Sequence, residues 1–117
     1  MLQANGSSRD VSRIALRYAF EGHVKIAVNR DGQTKTAGGW VRDIGEGGVC
    51  AFVAEELGTD DSVTLTIPLR DHADLVVSAR VARRLGTQYG FQFLTLSPEQ
   101  RALIQSAVEG RQPLSGQ

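Results

Sequence analysis

Four stretches of this chain place an apolar side chain at every second position: Val24, Ile26 and Val28; Val63, Leu65, Ile67 and Leu69; Val77, Ala79 and Val81; Tyr89, Phe91 and Phe93. Period two is the signature of a strand with one face in a core and the other in solvent. Asp31-Gly32 closes the first stretch with a two-residue hairpin signal. Two further strands are expected over residues 34–43 and 49–54, and the fifth strand extends over residues 75–84. Gly38 and Gly39 suggest a bulge or sharp bend in the second. Six short strands separated by turn residues predict a mainly β chain, closed as a barrel or stacked as a sandwich.

One helix follows. Ser97 is a capping residue, Pro98 suits the first helical position and Gln100 completes a capping box. Leu103, Ile104, Ala107 and Val108 form an apolar stripe at helical spacing, and Gly110 terminates it. Such a helix is expected to plug an open end of a barrel.

A length of 117 residues allows one hydrophobic core and not two. Hydrophobic residues make up 41%, which suits a folded chain. Net charge is zero despite eleven Arg and two Lys, which argues against a nonspecific nucleic-acid coat. The charge is unevenly spread: Arg9, Arg13 and Arg17 lead the chain, whereas residues 43–61 hold six acids and no base. A single Cys excludes an internal disulfide and fits a reducing compartment. No apolar run is long enough to insert in a membrane, so a cytoplasmic location is expected. Residues 1–12 read as a flexible arm, residues 13–110 as the barrel with its helix, and residues 111–117 as a flexible tail.

Two motifs carry the functional reading. Arg-x-x-x-Arg occurs at Arg9/Arg13, Arg13/Arg17 and Arg80/Arg84. The first two pairs stand just before the first strand. Asp43-Ile-Gly-Glu-Gly-Gly48 closes the second strand with an acid and a glycine-rich turn. In this order the motifs resemble those of the PilZ family, small bacterial six-stranded barrels that bind cyclic diguanylate (c-di-GMP). That family uses an Arg-x-x-x-Arg arm and an Asp/Asn-x-Ser-x-x-Gly turn. The run from Arg80 to Leu85, then Tyr89-Gly-Phe-Gln-Phe93, then a closing helix also resembles a PilZ C-terminal half. The similarity spans about residues 9–109.

The resemblance implies a ligand site at Arg13, Arg17, Asp43, Gly45 and Gly48, with Arg9 as an auxiliary phosphate contact. Arg17 is matched to the second arginine of the motif by its distance from Val24. The chemistry suits the ligand. A guanidinium pairs bidentately with phosphate or with the O6/N7 edge of guanine, and stacks on the base. Asp43 accepts from guanine N–H groups, and Gly48 admits a close backbone approach. Gly45 stands where the family has Ser. Loss of that hydroxyl removes a hydrogen bond worth roughly 0.5–1.5 kcal/mol, so restoring Ser is expected to tighten binding unless φ at this position is positive.

The other candidates have plainer readings. Cys50 with His23 or His72 lacks metal-ligand spacing, and a buried structural thiol is expected. Glu55, Glu56, Asp60 and Asp61 read as a solvated loop or an acidic docking surface. Arg80, Arg83 and Arg84 either extend the anion site or decorate a strand end. Trp40 either packs in the core or stacks on a base. No nucleophile, base and metal occur together, so a binding module is expected rather than an enzyme. No cofactor is implied beyond the ligand itself. A single domain of this kind would act as a receptor or adaptor on a protein effector. Two alternatives remain: an adaptor that has lost the nucleotide, and a small-barrel nucleic-acid binder.

Overall fold

The computed structural model describes residues 16–114. Six strands form in chain order: β1 (Tyr18–Arg30), β2 (Gln33–Ile44), β3 (Gly48–Val53), β4 (Ser62–Ile67), β5 (Leu75–Leu85) and β6 (Gln88–Phe93). The helix α1 (Pro98–Ala107) follows. The strands close as β1-β2-β3-β6-β5-β4, with β4 returning to β1, and every neighbouring pair is antiparallel. Closure satisfies the ladder groups that an open sheet would leave at its edges. The period-two stretches fill the interior: Ile26, Leu65, Ile67, Val77, Ala79, Val81, Tyr89 and Phe91 are at most 1% exposed. Truncating one of the larger aliphatics, Leu65 for example, is expected to cost about 2–5 kcal/mol.

The turns follow the sequence signals. Asp31 (φ 51°) and Gly32 (φ 79°) both adopt positive φ, as the two-residue turn between β1 and β2 requires. Leu69 differs from expectation, because β4 ends at Ile67 and Leu69 is buried beyond the ladder. The bulge expected at Gly38 and Gly39 is absent there, since Gly38 pairs with Lys25 and Gly39 with Val24 in unbroken register. Gly39 serves close packing instead: a Cβ would lie 2.7 Å from the Phe52 carbonyl oxygen. The register breaks fall elsewhere, between Ala19 and Gly22 on β1, between Val41 and Asp43 on β2, and between Val81 and Arg83 on β5.

α1 begins as its sequence dictates. The Gln100 amide donates to Ser97 Oγ at 3.0 Å and the Ser97 amide to Gln100 Oε1 at 2.7 Å. Ile104 and Val108 join the barrel core, with Leu103 and Ala107 packed against it. Gly110, at φ 81°, follows the last turn. At the other end of the barrel, Tyr89 Oη accepts from the Leu57 amide (3.0 Å) and donates to the Glu55 carbonyl (3.3 Å). That end also pairs Arg30 with Asp61 (2.6 Å), Arg80 with Asp60 (2.8 Å) and Arg84 with Glu56 (3.1 Å). Three of the four acids of this loop are therefore paired with strand arginines, Arg80 and Arg84 among them.

Candidate functional site

The β1–β2 ladder brings the two motifs together. Tyr18 pairs with Ile44 and Ala19 with Asp43, which sets Arg17 beside the glycine-rich turn. Arg17 Nη1 donates to Asp43 Oδ1 at 2.6 Å across 26 residues of sequence. The side chains are 28% and 12% exposed, so the pair sits in the wall rather than in bulk solvent. Asp43 is the one buried charged residue among those described.

The break at Arg42 explains how a carboxylate tolerates this position. On β2, Val41 faces Ala51 and Asp43 faces Cys50, so Arg42 is an extra residue. Regular alternation would point Asp43 into the core with Val41. The extra residue turns it to the outer surface and returns Ile44 to the interior opposite Val49. A bulge has no single sequence signature: Arg42 forms one here, while Gly38 and Gly39, conformationally freer, pair in regular register.

The turn itself is pinned on both sides. The Gly45 amide donates to the Gly48 carbonyl at 2.9 Å, and the Phe93 amide to the Gly47 carbonyl at 3.0 Å. A Cβ on Gly48 would overlap the Phe91 carbonyl, so the close approach expected there is to the protein's own β6. A Cβ on Gly45 would overlap the Leu16 carbonyl. Gly45 is outside the positive-φ region, so space and not φ is what a serine would lack. Glu46 accepts from Arg101 Nη1 and Gln105 Nε2, both at 2.8 Å, which ties the turn to α1. Glu46 was not singled out by the sequence reading, because its partners lie 55 and 59 residues away.

Arg9 and Arg13 lie outside the described residues. Arg17, Asp43, Gly45 and Gly48 come together at the helix end of the barrel. A cavity of about 150 Å³ lies beside Gly45, lined by Leu16, Tyr18, Glu46, Ile104, Gln105 and Val108 as well.

A family model for the PilZ domain matches residues 9–110. The chain belongs to the PilZ family. Its fold is similar to the PilZ domain of CeSA from a cellulose-synthesizing bacterium, at 21% identity and TM-score 0.59, covering 75% of this chain and 89% of that one. It is also similar to the PilZ domain with c-di-GMP of YcgR from Escherichia coli, at 16% identity and TM-score 0.59, covering 76% and 82%. No curated protein sequence matches.

Around the motif residues, this PilZ domain presents an outer wall of mixed character. Trp40 does not pack in the core: it is 41% exposed, edge-on to His23 with ring centroids 4.9 Å apart, and opposite Phe52, itself 43% exposed. Cys50 is buried as expected, yet on the outer side of β3, between the inward Val49 and Ala51. Burial, reinforced by the charge of Asp43, pushes its thiol pKa up. His23, against Trp40, and His72 both line a surface groove of about 730 Å³ between the start of β1, the β4–β5 loop and the end of α1. That larger groove contains neither Arg17 nor Asp43. Among the described residues no cluster of three or more His, Cys, Asp or Glu side chains could hold a metal ion, and no helix is long and apolar enough to cross a membrane.

Proposed function

We propose that this PilZ domain binds c-di-GMP on the outer wall at Arg17 and Asp43, and relays its presence to a protein effector in the bacterial cytoplasm. The observation that carries this reading is the Arg17–Asp43 pair, which joins the end of the arginine arm to the acidic turn at a single point. Both side chains already have the chemistry that the nucleotide needs. On binding, Asp43 accepts from the guanine N–H groups, and Arg17 turns its fork to phosphate or to the O6/N7 edge. The exchange replaces one charge-assisted contact with several, so the native pair keeps Asp43 satisfied until ligand arrives. Arg13 and Arg9 then add phosphate contacts from the arm. The role is recognition and not catalysis.

The second reading is an adaptor that works without nucleotide. It is favoured by Gly45, where the Leu16 carbonyl fills the place of the family's serine side chain. Calorimetric titration with c-di-GMP, guanosine monophosphate and single-stranded RNA separates the readings. Saturable binding of c-di-GMP alone, lost in Arg17→Ala, supports the receptor. No binding of any of the three leaves the adaptor, and preference for RNA favours the nucleic-acid binder.

A further inference from the structure

The outer wall holds a charged residue that the motifs do not include. Across the barrel, the register runs from Asp43 on β2 to Cys50 on β3, to Gly90 on β6, to Arg83 on β5. These four residues form one row perpendicular to the strands. A second break, between Val81 and Arg83, does for Arg83 what the Arg42 break does for Asp43. Val81 stays opposite Phe91 in the interior, and Arg83 turns outward opposite Gly90. Each end of the row thus carries a charge that a bulge has rotated out of the core, Asp43 into the wall and Arg83 to the surface.

The middle of the row is low. Cys50 is buried, and Gly90 has no side chain. The Arg83 stem lies across the vacant side of Gly90, with Cγ and Nε 3.1 and 3.2 Å from where a Cβ would sit. The guanidinium is thereby directed over β6 toward Cys50. The charges of Arg17, Arg42 and Arg83 all reach Cys50, as does that of Asp43. Arg80 and Arg84 are held by Asp60 and Glu56. Arg83, between them, has no ion-pair partner among the described residues and is exposed.

We propose that Arg83 is a binding residue of this site, taking the second phosphodiester and guanine half of c-di-GMP while Arg17 and Asp43 take the first. The proposal rests on the receptor reading above. The ligand consists of two identical halves, each with one negative charge and one guanine. A single Arg–Asp pair engages one half. The ends of the row are three strand spacings apart, roughly 14 Å along the wall, and the Arg83 side chain leans inward across that span. Between them Gly90 offers no side chain of its own, so the Arg83 side chain that covers it is the one group that must lift for a flat dinucleotide to lie on this row.

Calorimetric titration of c-di-GMP into the intact chain and three variants tests this. Arg83→Ala is expected to weaken binding at least tenfold, Arg83→Lys to recover only part of the loss, and Arg80→Ala to stay within twofold of the parent. Arg83→Gln keeps the aliphatic stem over Gly90 and removes the charge, so it decides the matter should the Ala variant fold poorly in a thermal melt. A parent that binds together with a folded Arg83→Gln or Arg83→Ala variant within twofold of it overturns the role of Arg83 and leaves the receptor reading intact. A parent that does not bind c-di-GMP overturns both.

Discussion

The carbonyl oxygen of Leu16 occupies the space that a side chain on Gly45 would need. Leu16 and Arg17, leading into β1, therefore lie on the glycine turn, with Arg17 Cδ 3.2 Å from the same position. A serine hydroxyl at residue 45 would offer the ligand one more hydrogen bond, roughly 0.5–1.5 kcal/mol. Its Cβ would first have to push backbone out of contact, an overpacking cost of about 1–3 kcal/mol. The same push would carry Arg17 away from its place beside Asp43, so Gly45→Ser is expected to bind c-di-GMP no more tightly than the parent. It should also melt lower by roughly 5–15 °C. Paired titrations and melts check this, and a Ser variant that melts normally and binds tenfold tighter would show that the arm yields at no cost.

Asp43 carries a second testable consequence. Removing it leaves Arg17 in the wall without its acceptor. The pair is partly exposed, so the expected loss is about 1–2 kcal/mol rather than the 3–5 of a fully buried pair. Asp43→Ala should therefore lower the melting temperature by roughly 5–10 °C and reduce c-di-GMP affinity at least tenfold. The same carboxylate is the second cause, after burial, of the raised Cys50 pKa. Asp43→Asn, which keeps the shape, should let the thiol ionise at lower pH and react faster with iodoacetamide at fixed pH. An unchanged alkylation profile in a folded Asn variant would mean that burial alone protects Cys50.

The fold was legible because the interior of a small barrel is written as period two, and β5 and β6 read correctly from Val77, Ala79, Val81, Tyr89, Phe91 and Phe93. α1 was legible for a local reason as well, since Ser97, Pro98 and Gln100 act within one turn. What could not be read was where alternation breaks. Arg42 and Ala82 are ordinary residues, and only the partner strand reveals that one too many is present. Those breaks decide which charges face outward. Trp40 shows the same limit: composition leaves core packing and an exposed stacking position both open, and register on β2 sets the side chain outside. Gly45 invited a reading in terms of the ligand, but its constraint is the passage of Leu16, 29 residues earlier in the chain.

Asp61 predicts the acid behaviour of the far end. The hydrogen bond from Arg30 lowers its pKa, helped by the Gly58 amide at 2.8 Å and opposed by partial desolvation. A carboxylate whose folded pKa lies below its unfolded value stabilises the fold fully above the unfolded value, near pH 4. That contribution is lost as pH falls through the lower, folded value. Arg30 stays charged throughout. Asp61→Asn should accordingly reduce stability at pH 7 and flatten the decline below about pH 4. Denaturant midpoints at pH 7, 4 and 3 check this, and parallel curves for parent and variant would remove Asp61 from the acid response.

The segment after α1 closes over the site from behind. Arg111 Nη1 donates to the Ala19 carbonyl at 2.6 Å with its guanidinium 5.8 Å from the Phe20 ring centre, and the Leu114 amide donates to the Arg17 carbonyl at 2.8 Å. Arg17 is thus held through its own backbone by residues past the helix, as well as through its side chain by Asp43. Holding the arm in place lowers the ordering cost at binding. Deleting residues 111–117 is therefore expected to weaken c-di-GMP binding about three- to tenfold, to lower stability by about 1–3 kcal/mol and to speed amide exchange over residues 16–20. Titration, thermal melting and hydrogen exchange on the truncated chain read the three effects separately. Faster exchange combined with tighter binding would reverse the assignment, making the segment a latch that keeps Arg17 on Asp43 and away from the nucleotide. Weaker binding with unchanged exchange would point to a direct ligand contact from Arg111 instead.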